Sequence, residues 1–84
     1  MKNEITITMK LFGAFRPYGD TVEFQICAGS CARTVKNALG NVLGEQAHPL
    51  IADSVIANNE TILPDDYVIG DDAQLSILPP VCGG

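Results

Sequence analysis

One stretch of helical periodicity lies between segments that alternate like strands, and this order limits the fold more than any other feature. Residues 5–11 and 21–27 both alternate between apolar and polar side chains, as half-buried strands do. Their apolar positions are Ile5, Ile7, Met9, Leu11, Val22, Phe24 and Ile26. Because Pro17, Gly19 and Asp20 supply turn chemistry between them, the two segments predict an N-terminal hairpin with a long loop.

A helix is predicted after the hairpin. Its apolar positions follow the i, i+3, i+4, i+7, i+8 spacing of one helix face, and they are Val35, Ala38, Leu39, Val42 and Leu43. Ser30 or Thr34 is expected to cap its N-terminus, and the sequence does not choose between them. Gly44 is placed to end the helix, and Gly40 falls on its polar side.

The second half of the chain predicts three short strands after an irregular segment. Residues 45–54 are expected to be irregular because Pro49 stops a continuous helix. Strands are predicted at 55–57, 61–63 and 74–78, with a tight turn at Asn58 and Asn59. The whole order predicts an α+β fold of the ubiquitin-like β-grasp type. Its mixed sheet carries one main helix on one face, and the last strand is parallel to the first.

Size and charge exclude several classes of protein. A chain of 84 residues predicts one domain. With five basic residues and a net charge of −5, it lacks the Lys and Arg clusters that nucleic acid binding needs, so no nucleic-acid partner is expected. No apolar run approaches the length of a membrane span, and residues 1–6 lack the apolar core of a signal peptide. We therefore expect a cytoplasmic protein with no membrane partner.

The cysteines and the one histidine do not form a recognisable reactive or metal site. Cys27, Cys31 and Cys82 are odd in number, and their spacing does not suit zinc, so neither a disulfide framework nor a metal site is predicted. Cys27 and Cys31 are expected to be small buried hydrophobes. His48 is expected to be a surface residue rather than a catalyst.

Two apolar residues do not fit the predicted core. Phe12 falls on the same face of its strand as Thr8 and Lys10, and Leu78 falls on the same face as Ser76. If the first and last strands are neighbours, Phe12 and Leu78 form an exposed apolar patch, of the kind that often binds a partner. The alternative is that the strands twist at their ends and turn both side chains inward.

The chain is predicted to divide into a folded domain at residues 1–78 and a flexible tail at 79–84. Pro79 and Pro80 lack N–H donors and favour an extended conformation, and Val81 and Cys82 follow them. Because Gly83 and Gly84 have no side chain, such an end fits a narrow channel and leaves the terminal carbonyl open to attack. The chain has no phosphate-binding loop, so ATP to activate that carboxylate must be bound by another protein.

The sequence resembles the MoaD and ThiS group of ubiquitin-like sulfur carriers over nearly its whole length. The resemblance is clearest at residues 11–16, at Thr34 and Val35 with Ala38 and Leu39, at residues 55–58, and in the tail. Leu78-Pro79-Pro80-Val81 with Gly83-Gly84 is its most specific part, and the two prolines favour the molybdopterin synthase small-subunit branch over the thiamin branch.

The resemblance implies a mechanism and a set of partners. An E1-like enzyme of the MoeB or ThiF type would adenylate the Gly84 carboxylate with ATP, and a sulfur donor would convert it to a thiocarboxylate. A large synthase subunit of the MoaE type would then use the sulfur to build the dithiolene of molybdopterin. The chain itself would bind no cofactor and would be a monomer on its own. Gly83 and Gly84 would be the reacting end, and Phe12, Leu78, Pro79, Pro80, Val81 and Cys82 would contact partners.

Departures from the family and rival functions remain open at the level of sequence. Cys82 stands where the family usually has a small or hydroxyl residue, so it either regulates the neighbouring sulfur or is a neutral replacement. Asp71-Asp72-Ala73 lacks a glycine that the family often has between the acids. Rival functions are a modifier conjugated to lysines through Gly84, a sulfur carrier for thiamin, cysteine or tRNA thiolation, and a plain interaction domain.

Overall fold

The computed structural model describes residues 3–59 and 61–79. Two helices lie in this part of the chain, α1 at Ala32–Leu43 and α2 at His48–Ala52, with single 3-10 segments at Gly13–Tyr18 and Glu45–Ala47. The strands are β1 at Glu4–Leu11, β2 at Thr21–Cys27, β3 at Ser30–Cys31, β4 at Val55–Asn58, β5 at Thr61–Leu63, β6 at Val68–Ile69 and β7 at Ala73–Leu78. The predicted hairpin, main helix and later strands are thus all present.

The main sheet has five strands in the order β2-β1-β7-β4-β5. Its central pair, β1 and β7, is parallel, and the other neighbouring pairs are antiparallel. This mixed sheet with a helix packed on it is the predicted β-grasp arrangement. β3 and β6 form a separate two-stranded ladder at the start of α1.

The core lies between one face of the sheet and α1. The inward positions of β1 alternate as the sequence predicts, since Ile5, Ile7, Met9 and Leu11 are all buried. Helix α1 adds three fully buried residues, Ala32, Val35 and Leu39. Phe15, from the 3-10 segment, is also fully buried, so the long hairpin loop contributes to the core rather than projecting from it.

The helix face predicted from spacing is partly wrong. Val42 is 47% exposed and Leu43 is only half-buried, whereas the buried face of α1 includes Gly40. The segment predicted to be irregular contains α2, and Pro49 is its second residue. Proline is accepted there because the first turn of a helix does not use its N–H groups. Ile51 is buried in the core cluster, and it anchors this short helix to the core.

The predicted helix cap is also wrong. Helix α1 starts at Ala32 with Cys31 in the cap position, so neither Ser30 nor Thr34 takes that place. The first free N–H groups of the helix are bound by the loop before β6 instead. Ala32 N–H donates to the Tyr67 carbonyl at 2.9 Å, and Arg33 N–H donates to the Asp65 carbonyl at 3.0 Å. This long-range pairing satisfies the helix end without a side-chain cap.

Candidate functional site: the exit of the C-terminal tail

The end of β7 brings Leu78 to the edge of an apolar area on the outer face of the sheet. In the parallel ladder, Leu11 is opposite Ile77, and Phe12 continues in an extended conformation with φ −128° and ψ 158°. The next step of the register therefore places Phe12 beside Leu78. Phe12 is 41% exposed and Leu78 is half-buried. The structure thus brings together the two apolar residues that the strand pattern assigns to the outer face.

Val55 belongs to the same apolar area, although the strand pattern alone does not predict it there. It is directly opposite Leu78 in the antiparallel ladder between β4 and β7, and it is 39% exposed. The next pair along this ladder, Ile56 with Ile77, is buried on the core face. Alternation along β4 could have marked Val55 as outward-facing, but only the strand order shows that it lies next to Leu78. We call Phe12, Val55 and Leu78 the exit patch.

Pro79, the first residue after β7, packs against the start of the hairpin loop. Gly13 has φ +57°, and a Cβ built on it would lie 2.8 Å from the Pro79 Cγ. A glycine is therefore required at this point both by the left-handed backbone and by the proline ring beside it. This contact fixes where the chain leaves the domain, next to the exit patch.

The reacting end of the tail lies outside the described residues. Pro80, Val81, Cys82, Gly83 and Gly84 all belong to that part of the chain. Their predicted roles stay predictions, and so does the boundary between residues 1–78 and 79–84. The structure describes the two residues from which the tail starts, Leu78 at the end of β7 and Pro79 packed on Gly13.

Asp72 ties the start of β7 to β1. Its carboxylate Oδ1 accepts a hydrogen bond from the Thr6 backbone N–H at 2.7 Å. The acidic turn that departs from the family pattern thus has a structural use, because it binds an N–H of the neighbouring strand where the ladder begins. The partner of this carboxylate is 66 residues away in sequence and could not be found from local pattern.

The two described cysteines are not the buried hydrophobes that the sequence predicts. Cys27 is exposed and Cys31 is partly exposed. The backbone N–H of Thr34, at the start of α1, lowers the pKa of the Cys31 thiol because it stabilises the thiolate, and the Thr34 hydroxyl acts in the same direction. Cys27 is wrongly predicted because it lies at the end of an edge strand, on the polar outer face.

His48 joins α2 to α1. Its Nε2 lies 3.1 Å from the Gly40 carbonyl oxygen, to which the ring N–H donates. The ring fills the place of a side chain at Gly40, since a Cβ there would lie 2.9 Å from the His48 Cδ2. The histidine is on the surface as predicted, and the contact also explains why a glycine stands inside α1.

Comparison with known families decides what kind of protein has this architecture. The model of the ThiS family matches residues 9–84. The chain belongs to the ThiS family. The match covers β1 from Met9 onward, the whole helix layer and the Gly-Gly end, so it includes the exit patch together with the tail. A search of curated proteins found no match.

Solved structures share the fold of this ThiS family member over almost its whole length. One is SAMP1 from Haloferax volcanii, a small archaeal modifier protein, with a TM-score of 0.77, 16% identity, and coverage of 94% of this chain and 99% of that chain. A candidate molybdopterin converting factor, subunit 1, from Pyrococcus furiosus has a TM-score of 0.76, 22% identity, and coverage of 92% and 99%. The ubiquitin of Caldiarchaeum subterraneum has a TM-score of 0.68, 12% identity, and coverage of 98% and 100%. The fold prediction is confirmed.

No helix within residues 3–59 and 61–79 has the length and apolar character needed to cross a membrane. In the same residues, no three His, Cys, Asp or Glu side chains come together in a way that could hold a metal ion.

Proposed function

We propose that this ThiS family protein is a sulfur carrier and the small subunit of a molybdopterin synthase, with its sulfur held as a thiocarboxylate on Gly84. The observation that carries the proposal is the placement of Leu78 and Pro79, the residues from which the predicted tail starts. Pro79 packs on Gly13 and directly follows Leu78 of the exit patch, so the described end of the chain lies next to an exposed apolar surface. The ThiS family match over residues 9–84 includes the Gly-Gly end of the sequence and supports the proposal from the sequence side.

The exit patch is proposed to dock the partners that act on the tail. An exposed aromatic side chain such as Phe12 gives a large contact area at a low cost in conformational entropy. Val55 and Leu78 extend that area along the strands that lead to Pro79. A partner seated on these residues would receive Pro80, Val81 and Cys82 as the next contacts and would have Gly83 and Gly84 within its active site.

The chemistry proposed for Gly84 follows from the properties of a carboxylate. A carboxylate is a weak electrophile, so an E1-like enzyme first joins it to AMP from ATP and releases pyrophosphate. A sulfur donor then attacks the acyl carbon, AMP leaves, and a thiocarboxylate forms. In the synthase the large subunit supplies the groups that pass this sulfur to the pterin, while the present chain supplies the sulfur and the docking surface. ATP is held by the activating enzyme.

Intact-mass measurement tests the proposal. The chain is incubated with an E1-like enzyme, ATP and a sulfur source, and we expect the mass change of one oxygen replaced by sulfur. A matched variant that lacks Gly84 should stay unchanged, whereas Cys82→Ser should still be converted. Conversion of the variant without Gly84 would overturn the assignment of the reacting group.

The main alternative is a protein modifier joined through Gly84 to lysines of other proteins. It is favoured by the fold shared with the H. volcanii small archaeal modifier protein. The same incubation distinguishes the two, because a modifier gives conjugates of high mass that resist reductant, and a synthase subunit gives only the thiocarboxylate. Transfer of the sulfur to a cyclic pterin by a large subunit would establish the synthase role. Transfer into a thiazole or a tRNA base would instead show that the chain carries sulfur for another pathway.

A further inference from the structure

We propose that the groove between α1 and α2 is a second docking site, which binds an acidic segment of a partner protein. The groove has a volume of about 430 Å³ and lies in the helix layer. Because α1 packs on the core face of the sheet, the groove is on the opposite side from the exit patch. A partner bound there would leave the tail and the exit patch free, so this site is separate from the chemistry proposed for Gly84.

Five of the nine residues that line the groove carry a side-chain hydrogen-bond donor, and apolar atoms make up most of the rest of its wall. Helix α1 contributes Arg33, Lys36, Asn37 and Asn41 along one side, and His48 closes the groove where α2 begins. The one carboxylate in the lining is that of Asp65. Since guanidinium and ammonium groups are donors only, and amides can donate too, the lining favours a ligand rich in acceptor oxygens.

The charge of the groove is opposite to that of the protein as a whole. The chain has a net charge of −5, yet Arg33 and Lys36 are two of the four Lys and Arg residues in the described ranges, the others being Lys10 and Arg16. In that part of the structure the one ion pair within 4.0 Å joins Arg16 to Asp20, so neither cation of the groove forms such a pair, and the two cations outnumber the one lining carboxylate, Asp65. An acidic segment would be repelled by most of the surface and attracted here.

The shape of the groove favours a chain segment over a single small anion. Arg33 and Lys36 are spaced i, i+3 and Asn37 and Asn41 are spaced i, i+4, so the members of each pair are neighbours on one face of α1. The hydrogen bond of His48 to the Gly40 carbonyl joins α2 to α1, the two helices that form the groove. Successive carboxylates of an extended or helical acidic segment can follow such a row of donors, whereas one phosphate would use only a part of it.

An NMR titration of the full-length protein tests the site with hexaglutamate as the probe. We expect shifts at the backbone amides of Arg33, Lys36, Gly40 and Asn41, and weaker binding as salt rises. The double charge reversal R33E/K36E should weaken binding by about tenfold or more, and D65N should strengthen it about twofold. Inorganic phosphate, at the same charge concentration, should shift these amides less than hexaglutamate.

The matched control is the double reversal K10E/R16E, which makes the same change in net charge outside the groove. It should alter hexaglutamate binding by less than about twofold. Both double variants must first show the amide dispersion of a folded protein. If they then lose hexaglutamate affinity equally, the effect comes from overall charge and the proposal is overturned.

Three other results would also overturn the proposal. One is a larger shift with phosphate than with hexaglutamate, and another is a set of shifts confined to other faces of the protein. The third is the same shifts when the protein is concentrated without the probe. Gly84 takes no part in this assay. A negative result would therefore not contradict the chemistry proposed for the tail.

Discussion

Pro79 packs on Gly13 so closely that a side chain at position 13 would meet the proline ring 2.8 Å away. We therefore expect Gly13→Ala to push Pro79 from its seat and redirect the tail. The variant should lose about 1–2 kcal/mol of stability from the left-handed backbone. It should also be adenylated more slowly by an E1-like enzyme, because the tail would leave the domain at a different angle.

Gly29→Ala is the matched control for this prediction. Gly29 also has a positive φ, +88°, but a Cβ there would have no atom within 4 Å. It should lose stability by a comparable amount and be adenylated at the normal rate. If denaturant unfolding shows similar losses and both variants are adenylated equally fast, the contact between Gly13 and Pro79 does not guide the tail.

Phe12 is the residue of the exit patch whose removal should cost most in binding. Since its side chain is 41% exposed, Phe12→Ala should lower stability by less than about 1 kcal/mol. We expect it to raise the Kd for an E1-like partner at least about tenfold, as loss of a central aromatic anchor does. Calorimetry with Val42→Ala as control, 47% exposed on α1, should show an unchanged Kd. Equal effects of the two variants would place the docking surface elsewhere.

Strand β2 lies at one edge of the main sheet, and we expect its backbone amides to exchange hydrogen at two different rates. Leu11 N–H donates to the Asp20 carbonyl, and Ala28 N–H donates to the Asn3 carbonyl, so both ends of the β1–β2 register are hydrogen-bonded pairs. Because such pairs alternate, Val22, Phe24 and Ile26 bond to β1, and the N–H groups between them point away from the sheet.

Hydrogen exchange by NMR should therefore divide β2 into two sets. We expect the amides of Val22, Phe24 and Ile26 to be protected, and those of Glu23 and Gln25 to exchange at least about tenfold faster. The neighbouring β1, which has a partner on each side, should show no such alternation. Protection at Glu23 and Gln25 would mean that another strand pairs with β2 in solution.

His48 and Gly40 should behave as a coupled pair. Alanine in place of glycine inside a helix stabilises it by about 1 kcal/mol, and we expect that gain for Gly40→Ala in a His48→Ala background. In the wild-type background the new methyl group displaces the imidazole and breaks its hydrogen bond to the Gly40 carbonyl, so the gain should fall by about 0.5–1 kcal/mol. A double-mutant cycle by urea unfolding measures this difference. Equal gains in the free energy of unfolding in both backgrounds would show that His48 and Gly40 are not coupled.

Local periodicity predicts the five strands of the main sheet and the main helix, but it misses the two-residue strands β3 and β6 and the contacts that depend on tertiary neighbours. Alternation placed Phe12 on the outer face, because period two depends only on the strand itself. The burial of Gly40 could not be found in this way, since His48 covers it from another helix. The start of α1 was wrongly predicted for a similar reason, because carbonyls of Asp65 and Tyr67 replace a side-chain cap.

The candidate site shows the same division. The sequence predicts that a strand ends at Leu78 and that two prolines and a Gly-Gly end follow it. It does not predict the place of Val55 beside Leu78, because that place follows from the order of strands in the sheet. The seat of Pro79 on Gly13 joins residues 66 positions apart, and a glycine in a loop looks the same in sequence whether or not anything packs on it.

Adenylation of Gly84 can be followed directly as the exchange of labelled pyrophosphate into ATP by an E1-like enzyme of the MoeB or ThiF type. We predict that exchange requires the full chain, stops when Gly84 is removed, and continues with Cys82→Ser. Undiminished exchange with the chain that lacks Gly84 would contradict the proposal that the Gly84 carboxylate is the group that is adenylated.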